Sequence, residues 1–66
     1  MVVRVNGTEM EVAEGATVSS LLATLDLPAM GVAVELNRNI VKRDLFGATI
    51  LADGDQVEIV HFVGGG

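Results

Sequence analysis

A chain of 66 residues makes one domain with a radius of gyration of roughly 11 Å, and a catalytic pocket of ~300–1,000 Å³ would consume much of such a body. It has no cysteine and one histidine, which excludes disulfides, thiolate or histidine metal clusters and a cysteine nucleophile. Nine acidic residues against four basic ones, a net charge of -5, disfavour nucleic acid and anionic membrane surfaces and point to basic partners.

Half of the residues are hydrophobic, but Phe46 and Phe62 are the only aromatics, so the core is expected to be built from Val, Leu, Ile, Ala and Met. "VVRVNGTEMEV" reads as two short alternating strands around Asn6-Gly7, the strongest short-range signal for a two-residue hairpin turn. That turn sets the register: Val5 faces Thr8 and Val3 faces Met10. Val3, Val5, Met10 and Val12 then share one side of the sheet, and Arg4, Glu9 and Glu11 take the other.

In "EGATVSSLLATLDLP" the period changes. Val18, Leu21, Leu22 and Leu25 form one stripe of an amphipathic helix, with Thr17 as N-cap. Gly15 breaks the preceding strand and Pro28 prevents continuation, which predicts a helix of about ten residues. Its apolar stripe is expected to pack on the hairpin face carrying Val3, Val5, Met10 and Val12.

"GVAVELN" alternates again, with Val32, Val34 and Leu36 inward, and "NRNIVKR" reads as a tight turn into a short strand through Ile40 and Val41. "DLFGATIL" is the least regular stretch. After the Asp-Gly turn of "ADGD", the final strand is expected over "QVEIVHFV". Val57 and Ile59 fall on its core side. Val60 and Phe62 fall on the opposite side, as an apolar patch suited to partner docking. A helix between strands implies a right-handed crossover with parallel pairing, so the predicted fold is α+β, a mixed sheet with one helix across it.

Several polar residues carry plainer readings than chemistry. His61 alternates with apolar neighbours and reads as structural or solvent-facing. Asp53 and Asp55 suit a tight turn better than a metal site. Arg38, Lys42 and Arg43 read as solvated charge, or as steering toward an acidic patch on a partner. The chain closes on Gly64, Gly65 and Gly66, which order poorly and are expected to form a flexible tail after a domain of residues 1–63. No signal-peptide pattern or membrane-length apolar run is present, so the expected compartment is the cytoplasm.

Taken together, the hairpin, "GATVSSLLATL", "LNRNIV", the DGD turn before the last strand and the terminal glycines resemble the ThiS family of sulfur carrier proteins from thiamine biosynthesis. These are small members of the ubiquitin-like β-grasp superfamily. The likeness runs from Met1 to Gly66 without evident insertion. It departs at Lys42, where relatives often carry proline, and at Gly64, where they often carry a larger residue.

What the resemblance implies is a β-grasp domain that is not an enzyme and carries no bound cofactor. The Gly66 carboxylate would be adenylated with ATP by a ThiF-like activating enzyme and converted to a thiocarboxylate. Its sulfur would come from a donor such as a cysteine desulfurase and pass to a ThiG-like thiazole synthase. Gly64 and Gly65 would thread a narrow channel: three extended residues reach about 10 Å, and Phe62 to Gly66 about 17 Å. Val60 and Phe62 would dock the domain outside. Related carriers for molybdopterin, cysteine or tRNA thiolation, and ubiquitin-like protein modifiers, share this machinery. A plain ubiquitin-like interaction domain is a reading of another class, in which the glycines carry no chemistry.

Overall fold

A computed structural model describes residues 1–62. Two strands open the chain, β1 (Val2–Val5) and β2 (Thr8–Glu11), followed by helix α1 (Val18–Thr24). Then come β3 (Val32–Leu36), β4 (Asn39–Val41), a 3-10 helix at Arg43–Leu45 and the last strand, β5 (Gln56–His61). The strands form one sheet in the order β2-β1-β5-β3-β4. The hairpin takes the register that Asn6-Gly7 dictates, with Val3 opposite Met10 and Val5 opposite Thr8. Both turn residues have positive φ, as a two-residue hairpin of this hand requires.

The sheet is mixed, as expected, but its parallel pair is not the one joined by the helix. β1 and β5, from opposite ends of the chain, lie side by side and parallel. β2 and β3, which α1 connects, run in the same direction at a distance, with β1 and β5 between them. The crossover spans the inner strands and covers one face of the sheet.

α1 begins as predicted and ends early. Thr17 Oγ1 accepts the N–H of Ser20 at 3.1 Å and Ser20 Oγ accepts the N–H of Thr17 at 2.8 Å, a reciprocal cap. The N–H groups of Val18 and Ser19, which a helix start leaves unpartnered, reach the carbonyls of Thr49 and Phe46. At the other end Pro28 is not what stops the helix. Asp26 turns left-handed, at φ +59. Its N–H donates to the Ala23 carbonyl and the N–H of Leu27 to that of Leu22, the paired bonds of a Schellman motif. The helix therefore has 7 residues, fewer than the apolar stripe suggests, and Leu25 becomes its C-cap.

Val3, Val34, Val57 and Ile59 from the sheet are buried with Val18, Leu21 and Leu22 of α1. Val5, Met10 and Val12 share their face but are only half-buried, in and beside the hairpin whose outer strand, β2, is a sheet edge. Phe46 and Leu51 complete the core from the stretch that has no periodicity. That stretch is tied to the helix start: Leu51 donates its N–H to the Ala16 carbonyl at 2.8 Å, and Thr17 and Ile50 form an isolated bridge. Among the described residues, no helix is long and apolar enough to cross a membrane.

Candidate functional site

The last strand sits in the middle of the sheet, between β1 and β3, and its alternation divides it in two. Val57 and Ile59 point into the core and are buried. Gln56, Glu58 and Val60 point to the uncovered face and are exposed. Val60 is 55% exposed and Phe62, just past the strand, 58%. The main chain of Phe62 is nonetheless held, its N–H donating to the Gly31 carbonyl at 2.8 Å.

Around Val60 the ladder assembles an apolar area larger than the sequence suggested. Ala33 lies directly opposite Val60 on β3. Ile40, on β4 opposite Glu35, is 78% exposed. Met30 precedes the glycine that holds Phe62 and is 65% exposed. Ile40 was legible in principle, since Val41 points inward and its neighbour must point out. Met30 lies in an irregular loop and had no periodic signal.

His61 has the parity of Val57 and Ile59 but lies beyond the last buried position of β5 and is exposed. Gly64, Gly65 and Gly66, the expected tail, and the boundary placed after residue 63 lie outside the described residues.

Asparagines secure β5 at two points. At its start, the N–H of Gln56 donates to Asn37 Oδ1 at 3.0 Å, and Asn37 Nδ2 donates to Asp55 Oδ1 at 3.0 Å. Further along, the N–H of Ile59 donates to Asn6 Oδ1 at 2.7 Å and Asn6 Nδ2 donates to the Ile59 carbonyl at 3.1 Å. Asn6 and Asn37 both adopt positive φ, at +49 and +51.

Asp53 and Asp55 serve the turn before β5. Asp53 Oδ1 accepts the N–H of Val2 at 2.7 Å, and Asp55 Oδ2 that of Ala52 at 2.7 Å. Among the described residues, no three His, Asp or Glu side chains are grouped to hold a metal ion. Arg38, Lys42 and Arg43 are exposed. The one ion pair among the described residues is Arg4 with Glu9, at 3.2 Å on the surface, where such pairs contribute little.

An open groove of about 410 Å³ lies between the end of β2 and α1, lined by Val12, Ala16, Ser20, Leu21 and Thr24 among others. Its hydroxyls are already engaged. Ser20 Oγ donates to the Thr17 carbonyl and Thr24 Oγ1 to that of Ser20. What the molecule presents is an apolar patch around Val60 and Phe62, at the far end of a sheet face that carries Gln56 and Glu58 nearer the start of the last strand.

The model of the ThiS family matches residues 3–66. The sulfur carrier protein ThiS of Escherichia coli (strain K12) is 38% identical over 61 residues, covering 92% of each chain. A thiazole synthase from Magnetococcus marinus is 41% identical over 66 residues, the whole of this chain, which spans only 20% of that protein's length. The crystal structure of a thiamine biosynthesis protein (ThiS) from Geobacter metallireducens superposes with a TM-score of 0.84 at 43% identity, covering all of both chains. The chain belongs to the ThiS family, and its mixed five-stranded sheet crossed by one helix is the β-grasp fold.

Proposed function

We propose that this chain is a sulfur carrier for assembly of the thiamine thiazole, and that Gly66 bears the sulfur. The observation that carries this reading is the near end-to-end likeness to a curated sulfur carrier. A carboxylate has a poor leaving group, so its oxygen first attacks the α-phosphorus of ATP and releases pyrophosphate. Sulfide then attacks the acyl carbon, AMP departs, and a thiocarboxylate remains; sulfur delivered as a donor's persulfide first gives an acyl disulfide, which a thiol reductant cleaves to the same product. The carrier supplies the carboxylate and a grip for the enzymes; it is a co-substrate, not a catalyst. ATP-dependent activation suits action in the cytoplasm.

An adenylating enzyme, a sulfur donor such as a cysteine desulfurase and a thiazole synthase are the partners this reading requires. Support for the last comes from the thiazole synthase that contains a stretch similar to this whole chain. Linking a carrier to its acceptor enzyme raises its effective concentration. Docking is assigned to Val60 and Phe62, exposed on the uncovered face, and the narrow Gly64-Gly65 segment leads the carboxylate into the enzyme.

Incubation with an adenylating enzyme, ATP, magnesium and sulfide is expected to add the mass difference between sulfur and oxygen, located on Gly66 by fragmentation. Deleting Gly66 leaves a chain still ending in glycine but shifts the carboxylate by roughly 3.5 Å. Since misplacement by ~1 Å can cost about 10²-fold, thiolation of the shortened chain should fall severely while folding survives. Equal rates for the two chains would refute the assignment of the chemistry to Gly66.

A further inference from the structure

β5 is longer than the strand beside it. β1 ends at Val5, which is level with Val57, whereas β5 continues to His61. Pairing with β3 accompanies it throughout, from Leu36 opposite Val57 to Val32 opposite His61. Hydrogen bonds across that ladder alternate. Phe62 bonds Gly31, and Asn37 donates its N–H to the Gln56 carbonyl. By this alternation the N–H and C=O of Ile59 face away from β3, toward the space where a longer β1 would lie.

Asn6 fills that space. Its own N–H donates to the Val57 carbonyl at 2.8 Å. The chain then turns back at Gly7, and the carboxamide continues where the main chain has left off. It accepts from the N–H of Ile59 and donates to its carbonyl, the two bonds that the main chain of a continuing parallel strand would make from two of its residues. The left-handed φ of Asn6 is needed for this: the turn removes the backbone from the ladder while the side chain stays in it. Among the described residues, Ile59 is the last position at which β5 is tied to the β1 side.

We infer that Asn6 is a positioning residue for sulfur loading: its carboxamide sets the direction in which the last strand leaves the domain toward Gly66. This rests on the carrier reading above. Docking is a property of the sheet face as a whole, but delivery of one carboxyl carbon to a nucleotide depends on the path of the chain between face and tip. Beyond Ile59 the described part of the chain is held from the β3 side alone, as far as the Phe62 N–H to the Gly31 carbonyl, so the Asn6 carboxamide is the last fixed point on its other side.

The test follows thiolation of the full chain by its adenylating enzyme with ATP and sulfide, with kcat and KM for the carrier determined separately. Asn6→Gly keeps the left-handed turn and deletes the carboxamide. Asn6→Asp keeps the acceptor for the Ile59 N–H and loses the donor. Asn37→Gly removes two hydrogen bonds from the opposite end of the same strand and serves as the control for simple loss of stability. We expect Asn6→Gly to lower kcat about tenfold or more, given the sensitivity of reaction rates to placement, with KM within about twofold. Asn6→Asp should fall between it and the parent, faster exchange of the Ile59 amide should accompany the loss, and Asn37→Gly should keep the parent kcat.

If Asn6→Gly matches the parent in kcat, or falls no further than Asn37→Gly, the inference is overturned. If Asn6→Gly does not fold, the kcat of Asn6→Asp decides, and parity with the parent overturns it. An unaltered chain that gains no sulfur removes the carrier reading and this inference with it.

Discussion

The two faces of the sheet are made by the same strands and meet opposite fates. On one, Val3, Val34, Val57 and Ile59 are buried against Leu21 and Leu22 of α1. On the other, Arg4, Glu35, Glu58, Val60 and Ile40 have no covering layer among the described residues and are exposed. β5 shows the contrast within six residues, where buried Val57 and Ile59 alternate with exposed Glu58 and Val60. Hydrophobicity alone does not separate these positions, since Val57 and Val60 are the same residue. Parity decides which valine stabilises the fold and which stays exposed.

The contrast breaks most visibly at the helix. Leu22→Ala should destabilise the protein by about 2–5 kcal/mol, a large share of what a domain this small possesses. Val60→Ala, on the other face, should change stability by less than ~1 kcal/mol. Denaturant unfolding of both proteins checks the pair, and equal losses would mean that the two faces are not distinct energetically.

Phe62→Ala asks the reverse question. Affinity for the adenylating enzyme should fall about tenfold or more, as for an aromatic anchor, while the unfolding midpoint stays near that of the parent. A collapse in stability with unchanged affinity of the folded fraction would make Phe62 a core residue and remove it from the docking face.

Two smaller changes adjust the buried face without touching the exposed one. Thr17→Ala deletes the side chain that caps α1 and should cost about 1 kcal/mol. Asp26→Gly relieves a left-handed residue at the helix end and should raise the unfolding free energy by about 0.5–1 kcal/mol. Both should leave partner affinity unchanged when titrated by calorimetry below the unfolding transition. A change in affinity in either variant would show that α1 contributes to docking.

Much of the fold was legible because local periodicity and turn chemistry agree with the tertiary structure. Asn6-Gly7 set the hairpin register, Thr17 marked the helix start, and alternation assigned inward and outward residues in β3 and β5. The less legible parts had no period. Phe46 and Leu51 enter the core from a 3-10 turn and an irregular stretch, where burial depends on hydrogen bonds to Ala16 and Ser19 far away in the sequence. Met30 belongs to the same class. The helix was overestimated because its stripe continues to Leu25, while the chain conformation changes at Asp26, a residue whose left-handed geometry is an option rather than a requirement.

For the candidate site, the sequence by itself determined that Val60 and Phe62 lie opposite Val57 and Ile59, because side chains of a strand alternate whatever surrounds them. It also carried the family resemblance. Only the tertiary structure decided which strand flanks β5, since pairing of β1 with β5 joins the two ends of the chain and no local pattern encodes it. The second role of Asn6 follows from that pairing. In the sequence it is a turn residue beside Gly7; in the fold its carboxamide meets Ile59, 53 residues away, because β1 stops short of the strand it accompanies and the side chain takes the place of the missing backbone.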